Sequence, residues 1–203
     1  MIANDRNVVL QGLATILSRH KEIEVVAQTI KLSQVLEDFR RFRPNVLLID
    51  LRFEGVDAIE TIRKIHEDFP SKGILMVTSF DGSEDIHRAL RAGARGYVLT
   101  DVSDSELIEA IQLVNSGRNY ISSQIASRLA QRMNRSTLTR REMEVMQQIV
   151  RGKSNKEIAD NLQITEETVK YHVKGILSKL GVSDRTQAAT AALLRGIVHP
   201  IDL

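Results

Sequence analysis

Apolar and polar positions divide the chain into two stretches with different periods. Up to about residue 117, short apolar runs alternate with segments in which apolar positions recur every three or four residues, as in parallel strands linked by helices. Strands are predicted at 1–3, 23–29, 46–49, 74–77 and 96–99, and helices at 8–19, 33–43, 58–68, 84–92 and 104–116. The runs 46–49 and 74–77 are uniformly apolar, as strands buried on both faces require. The first stretch is therefore predicted to be a parallel α/β sheet with helices on both faces.

From residue 137 onward only the helical period remains. Ser154 with Glu157 forms a capping-box pattern before a short helix, and Thr165 is placed to cap a longer one. The apolar positions of the longer helix fall on one stripe, which consists of Val169, Val173, Ile176, Leu177 and Leu180. Thr139 and Asp184 are placed to begin two further helices. The second stretch is therefore predicted to be an all-α domain of four helices.

The face of the longer helix opposite that stripe carries Lys170, Tyr171 and Lys174. A solvated helix face would also carry lysines, so these residues alone do not decide between a solvent-exposed face and a DNA-binding face. A short capped helix, a tight turn and a second helix with a cationic outer face form the geometry that places a helix in a DNA major groove. The pattern therefore favours double-stranded DNA as a partner.

The segment between the two stretches has a helical pattern of its own. Ile125, Ala126, Leu129 and Met133 recur at helical spacing, followed by the polar residues 134–136. We therefore predict three parts, with a sheet domain over 1–118, a connector helix and tether over 119–136, and the four-helix domain over 137–203. The arginines of the connector could contact DNA phosphates or form a solvated face.

Charge changes sign along the chain. Residues 1–117 carry 14 Lys and Arg against 18 Asp and Glu, residues 118–136 carry four Arg and no acid, and residues 137–203 carry 10 against 8. The basic surplus in the C-terminal half agrees with a polyanionic partner. The absence of Cys excludes disulfides and thiolate metal sites within the chain. We expect a cytoplasmic protein with no membrane partner, because no signal-like or membrane-length apolar segment is present.

Polar side chains follow the predicted strands, at Asn4 and Asp5, Asp50, Thr78 and Thr100. The carboxyl ends of parallel strands meet at one edge of a sheet. Two acids converging there with a hydroxyl group make a site suited to Mg²⁺ and to a phosphoryl group. Taken singly, each acid could instead cap the helix that follows it.

Two sets of motifs together resemble a known family over nearly the whole chain. Residues 138–142 (LTRRE), 154–159 (SNKEIA), 168–173 (TVKYHV) and 180–188 (LGVSDRTQA) resemble the LuxR-type helix-turn-helix domain of NarL/FixJ-family response regulators. Residues 43–50 (RPNVLLID), 53–57 (FEGVD), 77–79 (VTS) and 91–99 (RAGARGYVL) resemble their receiver domain, a flavodoxin-like doubly wound sheet of five parallel strands. The resemblance implies a DNA-binding transcriptional regulator of a two-component system, which is not an enzyme.

The receiver resemblance implies roles for the strand-end residues. Asp50 would accept a phosphoryl group from a sensor histidine kinase, which would control dimerisation and promoter binding. Asp5, Asp50 and the backbone carbonyl of Arg52 would hold Mg²⁺, with Asn4 as a weak further ligand. Thr78, Tyr97 and Thr100 would form the phosphoryl switch, with Tyr97 swinging inward when Thr78 moves.

For the helix-turn-helix domain we expect a homodimer on DNA, to which the small-residue surface of the last helix contributes. Base edges would be contacted by Lys170, Tyr171 and Lys174. Phosphates would be contacted by a set of polar and basic residues that comprises Ser154, Asn155, Lys156, Thr165, Thr168 and Lys179.

Two departures from the family pattern leave alternatives open. Asn4 stands where a second acid is usual, and Thr100 stands where a Lys is usual, so that Arg6 or Arg52 would have to supply the missing cation. The first alternative is a pseudo-receiver transcription factor whose DNA binding is independent of phosphorylation. The second is a Mg²⁺-dependent phosphatase that uses Asp50 as nucleophile, although Arg52 occupies the natural position of its general acid. The first strand is also unusually short before Asn4, so that it is either stunted or clipped.

Overall fold

The computed structural model describes residues 1–133 and 136–199, except for the side chain of Met133. The chain divides into two compact units, one formed mainly by residues up to Leu129 and one mainly by residues from Ala130 onward, and each is described by itself. The predicted tether at 134–136 lies partly outside the described residues. Within them, no helix is long and apolar enough to cross a membrane.

The first unit is built on a parallel sheet. Its elements along the chain are β1 (Ile2–Ala3), α1 (Asn7–Ser18), β2 (Gln28–Thr29), α2 (Leu32–Phe42), β3 (Val46–Ile49), β4 (Arg52–Phe53), β5 (Val56–Asp57), α3 (Ile59–Asp68), β6 (Gly73–Thr78), α4 (Ser83–Arg91), β7 (Gly96–Leu99), α5 (Asp104–Asn115), β8 (Tyr120–Ile121) and α6 (Ser123–Met133). The main sheet has the order β2-β1-β3-β6-β7-β8, and all its pairs are parallel.

Apolar side chains cover both faces of this sheet, as the uniform apolar runs predict. On one face α1 and α5 contribute Leu13, Leu17 and Ile111 to a buried cluster. On the other face α2, α3 and α4 contribute to a second cluster, together with Ile125 at the start of α6. The doubly covered α/β fold predicted from the sequence is thus confirmed.

The sheet differs from the prediction in its number of strands and their lengths. The main sheet has six strands rather than five, because Tyr120–Ile121 pairs with β7. β2 is formed by Gln28–Thr29 alone, whereas a strand over 23–29 was predicted. β1 has two residues and is hydrogen-bonded on both sides, to β2 and β3. The strand Tyr120–Ile121 was not predicted because two residues are too few to show a side-chain period, and the bounds of β2 are set by backbone pairing rather than by the apolar pattern.

The second unit contains the four predicted helices, which are α7 (Arg140–Val150), α8 (Asn155–Leu162), α9 (Glu166–Leu180) and α10 (Arg185–Leu194). The predicted capping boxes are present at Thr139 with Glu142 and at Ser154 with Glu157. Thr165 and Asp184 cap α9 and α10 through the backbone N–H of the third helical residue. All four helices surround a core that includes Val145, Ile158, Val169, Ile176 and Ala188.

Candidate phosphoryl-acceptor site and nucleic-acid interface

The carboxylate of Asp50 lies at the carboxyl edge of the sheet and is held by side-chain and backbone donors. Its Oδ1 atom accepts hydrogen bonds from the Thr78 hydroxyl at 2.5 Å and from the Leu51 backbone N–H at 2.6 Å. Its Oδ2 atom accepts one from the Asn4 side-chain amide at 2.9 Å. Asn4, Asp50 and Thr78 are all buried. The structure therefore brings together three of the residues that the strand ends indicated.

Opposing effects act on the proton affinity of Asp50. Burial raises its pKa, hydrogen bonds from the Thr78 hydroxyl and from the backbone N–H groups of Leu51 and Arg52 lower it, and the nearby Asp5 charge raises it. Burial prevails, so that the pKa of Asp50 lies above its ordinary value. The site thus combines a desolvated carboxylate with donors that stabilise its ionised form.

The neighbouring residues decide how well the site suits Mg²⁺. Asp5 is half-buried, and its Oδ2 atom accepts the backbone N–H of Glu54 at 2.6 Å. The carboxylates of Asp5 and Asp50 are suitable ligands for a hard cation. The Asn4 amide does not fit in its observed orientation, because its oxygen accepts the backbone N–H of Arg6 at 2.8 Å and its nitrogen faces Asp50. In the described ranges, no three His, Cys, Asp or Glu side chains cluster as a metal site.

A short hairpin follows Asp50, which the periodicity did not predict. β4 and β5 pair antiparallel, and the turn between them places Glu54 at φ 45° and Gly55 at φ 86°, both in the left-handed region that tight two-residue hairpin turns use. In the sequence, the pair Glu54-Gly55 between the apolar residues Phe53 and Val56 could have indicated this turn. Asp57 in β5 forms ion pairs with Arg88 of α4 and, at 4.0 Å, with the buried Arg52. Arg52 thus faces Asp57, and Arg6 is exposed.

Of the predicted switch residues, Thr78 ends β6, Tyr97 lies within β7, and Thr100 follows β7. The Tyr97 hydroxyl donates to the Phe80 carbonyl at 2.6 Å, and the ring is buried, so that it already lies inward. Burial, followed by the charges of Asp85, Asp50 and Asp81, raises the pKa of Tyr97 well above its usual value. Thr100 is exposed, and its backbone N–H donates to the Thr78 carbonyl at 3.0 Å.

The loop after Thr78 is also tied to the connector helix. Asp81, in that loop, forms an ion pair with Arg128 of α6. Leu129, one residue further on, packs against the same apolar cluster that contains Tyr97. Of the connector arginines, Arg128 therefore has an internal anionic partner in the first unit, which sequence spacing alone does not show.

The outer face of α9 presents the residues expected to meet DNA bases. Lys170, Tyr171 and Lys174 are exposed, and the Tyr171 side chain is 75% exposed. Lys170 forms only an exposed 3.4 Å ion pair with Glu167 one turn earlier, which contributes little to stability. An exposed aromatic ring between two lysines is typical of a contact surface rather than of a core.

The residues expected to meet phosphates differ in how they are engaged. The hydroxyls of Ser154 and Thr165 serve as helix caps, and Thr168 contacts Thr165 at 2.8 Å. The Asn155 side-chain oxygen accepts from Arg185 at 3.1 Å. Lys156 is exposed, whereas the Lys179 ammonium group donates to Glu142 at 2.6 Å. If Lys179 contacts a DNA phosphate, its ammonium group would have to bind both the phosphate and Glu142.

Glu142 connects α7 to α9. Its Oε2 atom accepts from the Thr139 backbone N–H at 2.7 Å and from Lys179 at 2.6 Å. Its Oε1 atom lies 2.8 Å from where a Cβ on Gly175 would be, so that a larger residue at 175 would require the Glu142 carboxylate to shift. Burial raises the pKa of Glu142, but Lys179 and Thr139 outweigh it and lower the pKa below its usual value.

We expect Glu142→Gln to lower the free energy of unfolding of the second unit by about 1–3 kcal/mol at neutral pH, because the charge-assisted bond to Lys179 is lost. Since the pKa of Glu142 is lower in the folded chain, its contribution is complete above the unfolded value of about 4.5 and is lost as pH falls through the folded value. Urea unfolding followed by circular dichroism should show wild type and variant converging below about pH 4.5. Glu144→Gln, at the next acid of α7, is the control and should change stability much less, because its ion pairs with Arg140 and Arg141 lie nearer the solvent. A constant difference at all pH values would contradict this role.

A receiver-type sheet with a buried carboxylate at its carboxyl edge, joined to a helix-turn-helix with an exposed cationic helix, defines a two-domain regulator of transcription. Residues 1–112 match the family model described as response regulator receiver domain, and residues 136–192 match that of bacterial regulatory proteins of the luxR family. The chain belongs to the response regulators that combine a receiver domain with a LuxR-type DNA-binding domain.

Relatives of this family match nearly the full length. The transcriptional regulatory protein LiaR of Bacillus subtilis is 36% identical over 207 residues, covering 98% of both chains. The crystal structure of ChrA, the response regulator of a heme-sensing two-component system, is 35% identical, with a TM-score of 0.58 over 98% of this chain and 97% of that one. RcsB of Salmonella enterica serovar Typhimurium, bound to promoter P1flhDC with phosphomimetic BeF₃⁻, is 24% identical with a TM-score of 0.73 over 94% and 95%, and shows the shared fold.

Proposed function

We propose that Asp50 accepts a phosphoryl group from a sensor histidine kinase, and that the resulting acyl phosphate controls dimerisation and promoter binding. The observation that carries this proposal is the Asp50 carboxylate at the edge of the sheet, with the Thr78 hydroxyl at 2.5 Å. A carboxylate oxygen of Asp50 would attack phosphorus, the bond between phosphorus and the kinase histidine nitrogen would break, and the imidazole would leave. Thr78 would then donate its hydroxyl proton to a phosphoryl oxygen instead of to Asp50.

Mg²⁺ is the cofactor that this reaction calls for, because a cation neutralises charge on a phosphoryl group in transfer. Asp5, Asp50 and the backbone carbonyl of Arg52 would hold it. Asn4 would contribute an oxygen only after its amide had turned over, which breaks its hydrogen bonds to Asp50 and to Arg6. The family's usual Lys is replaced by Thr100, which supplies no charge to the site.

Signal transfer from this site would run through the loop after Thr78. Phe80 of that loop accepts from Tyr97, and Asp81 of the same loop pairs with Arg128 in the connector helix. A shift of Thr78 toward a phosphoryl group would therefore move groups that contact both Tyr97 and α6.

For the output domain we propose double-stranded DNA as ligand, read by Lys170, Tyr171 and Lys174 and anchored through phosphate contacts from α8 and α9. Homodimerisation on DNA is supported by α10, where Leu194 is 71% exposed and the adjacent Leu193 is 36% exposed. Such apolar residues at a helix end are suited to contact a second copy of the helix.

The proposed control of DNA binding is tested by measuring affinity with and without phosphorylation. DNA sites would be selected from a random pool with the full-length protein, and dissociation constants would be measured by fluorescence anisotropy after incubation with Mg²⁺ alone or with Mg²⁺ and acetyl phosphate. We expect acetyl phosphate to tighten binding of the wild-type chain and to leave that of Asp50→Asn unchanged. Equal affinities in a wild-type sample shown by mass to be phosphorylated would instead support the pseudo-receiver alternative.

A further inference from the structure

The Asn4 side chain supplies a hydrogen-bond donor to the Asp50 carboxylate, at a position where a cation would otherwise be needed to balance the charge. Its amide nitrogen donates to Asp50 Oδ2 at 2.9 Å, while the Leu51 N–H and the Thr78 hydroxyl both donate to Oδ1. Each oxygen of the buried carboxylate therefore has at least one donor supplied by the chain itself. A buried carboxylate without such donors would have to be neutralised or bind a cation.

The two partners of Asn4 determine which way its amide points. The Asp50 carboxylate can only accept, so that it requires the nitrogen of the amide. The Arg6 backbone N–H can only donate, and its 2.8 Å contact requires the oxygen. Turning the amide over would set a donor against a donor and an acceptor against an acceptor. Asn4 is therefore fixed as a donor to Asp50.

The observed site carries one negative charge fewer than a site with an Asp at position 4 in addition to Asp5 and Asp50. An Asp at position 4 would still accept from Arg6, but its second oxygen would face Asp50 Oδ2, with Asp5 close enough to raise the pKa of Asp50. Three carboxylates would repel one another until a cation joined them. With Asn4, one charge is removed and one repulsion becomes a hydrogen bond.

We propose that the Asn4 side-chain amide takes the place of a metal ion as the partner of Asp50 Oδ2 and thereby weakens Mg²⁺ binding by this receiver domain. Asn4 acts as a positioning residue, because it orients the acceptor carboxylate without contacting a transferred group. The proposal concerns the resting site and does not rest on phosphorylation being the signal.

The test is the thermal unfolding of the full-length protein as a function of Mg²⁺ at constant ionic strength, because a ligand that binds only the folded state raises the midpoint according to its affinity. We expect a small Mg²⁺-dependent shift for wild type. We expect Asn4→Asp to be less stable without Mg²⁺ and to bind it about tenfold to a hundredfold more tightly. Asn7→Asp, an exposed change at the start of α1 that adds the same charge, should behave like wild type.

A second variant tests the hydrogen bond independently of the metal. Asn4→Ala removes the donor and adds no ligand, so that its midpoint should fall below that of wild type, and saturating Mg²⁺ should restore little of it. A wild-type chain that binds Mg²⁺ as tightly as Asn4→Asp would overturn the proposal, as would an Asn4→Ala chain as stable as wild type. Neither readout involves phosphorylation, so that a failure here is distinguishable from a failure of the proposed function.

Discussion

The Asp50→Asn variant is expected to take up no phosphoryl group from acetyl phosphate at saturating Mg²⁺, whereas the wild-type chain gains the mass of one. An amide nitrogen is no nucleophile toward phosphorus, because its lone pair is delocalised into the carbonyl group. The variant should still fold, because the oxygen of the substituted amide can accept from the Thr78 hydroxyl and the Leu51 N–H, as Asp50 Oδ1 does. Its nitrogen would face the Asn4 nitrogen, which costs that one hydrogen bond, but the repulsion between Asp50 and Asp5 is removed. Intact-protein mass spectrometry measures the outcome directly.

The matched control is Asp101→Asn, which makes the same change at an exposed residue after strand β7 of the same sheet. It should be labelled as fully as wild type. Labelling of Asp50→Asn at the wild-type level would show that another residue is the acceptor. A wild-type chain that stays unlabelled would favour the pseudo-receiver alternative, since a missing hydrogen bond from the usual Lys to a charged phosphoryl oxygen is worth about 1.5–3 kcal/mol.

The double variant Lys170→Ala with Lys174→Ala should lower affinity for a selected DNA site by about two to three orders of magnitude. Each lysine that contacts a base edge is worth about 1–3 kcal/mol, and loss of the positive charges also weakens attraction to the phosphates. The fold should be unaffected, because both side chains are exposed on α9 while Val169 and Ile176 hold the helix to the core.

Affinity should be measured by fluorescence anisotropy over a range of salt concentrations, with selected and with scrambled DNA. Lys64→Ala, an exposed lysine of α3 in the receiver domain, provides the control for net charge. Base contacts predict that the double variant loses more affinity for the selected site than for scrambled DNA. Unchanged affinity and salt dependence would falsify the assignment of this face of α9 to DNA.

The helix-turn-helix could be predicted in detail because its determinants are local. Ser154 with Glu157 and Thr139 with Glu142 form the predicted capping boxes, since a cap joins residues only three positions apart. The apolar stripe of α9 likewise follows from a fixed helical period. What spacing did not show is the bond between Lys179 and Glu142, which are 37 residues apart.

For the candidate phosphoryl-acceptor site, the sequence predicted that Asn4, Asp50 and Thr78 lie together, but not their geometry. Parallel strands bring their carboxyl ends to one edge, so that Asn4, Asp50 and Thr78 were expected together. The hairpin after Asp50 and the strand Tyr120–Ile121 were missed, because two-residue pairings leave no period in the sequence. The sequence also did not predict the ion pair between Asp81 and Arg128 or the bond between Lys179 and Glu142. Contacts between residues far apart in the chain depend on the packed fold.

The sequence by itself determined the two-domain architecture, the helix caps and the identity of the residues at the strand ends, because periodicity, capping and parallel topology act through neighbouring positions. Only the tertiary structure decided what those residues do to one another. It set the Asn4 amide as a donor to Asp50 and placed Lys179 on Glu142. Hydrogen bonds depend on the donor–acceptor distance to within a few tenths of an ångström and on the angle at the hydrogen. The packing of distant segments fixes both.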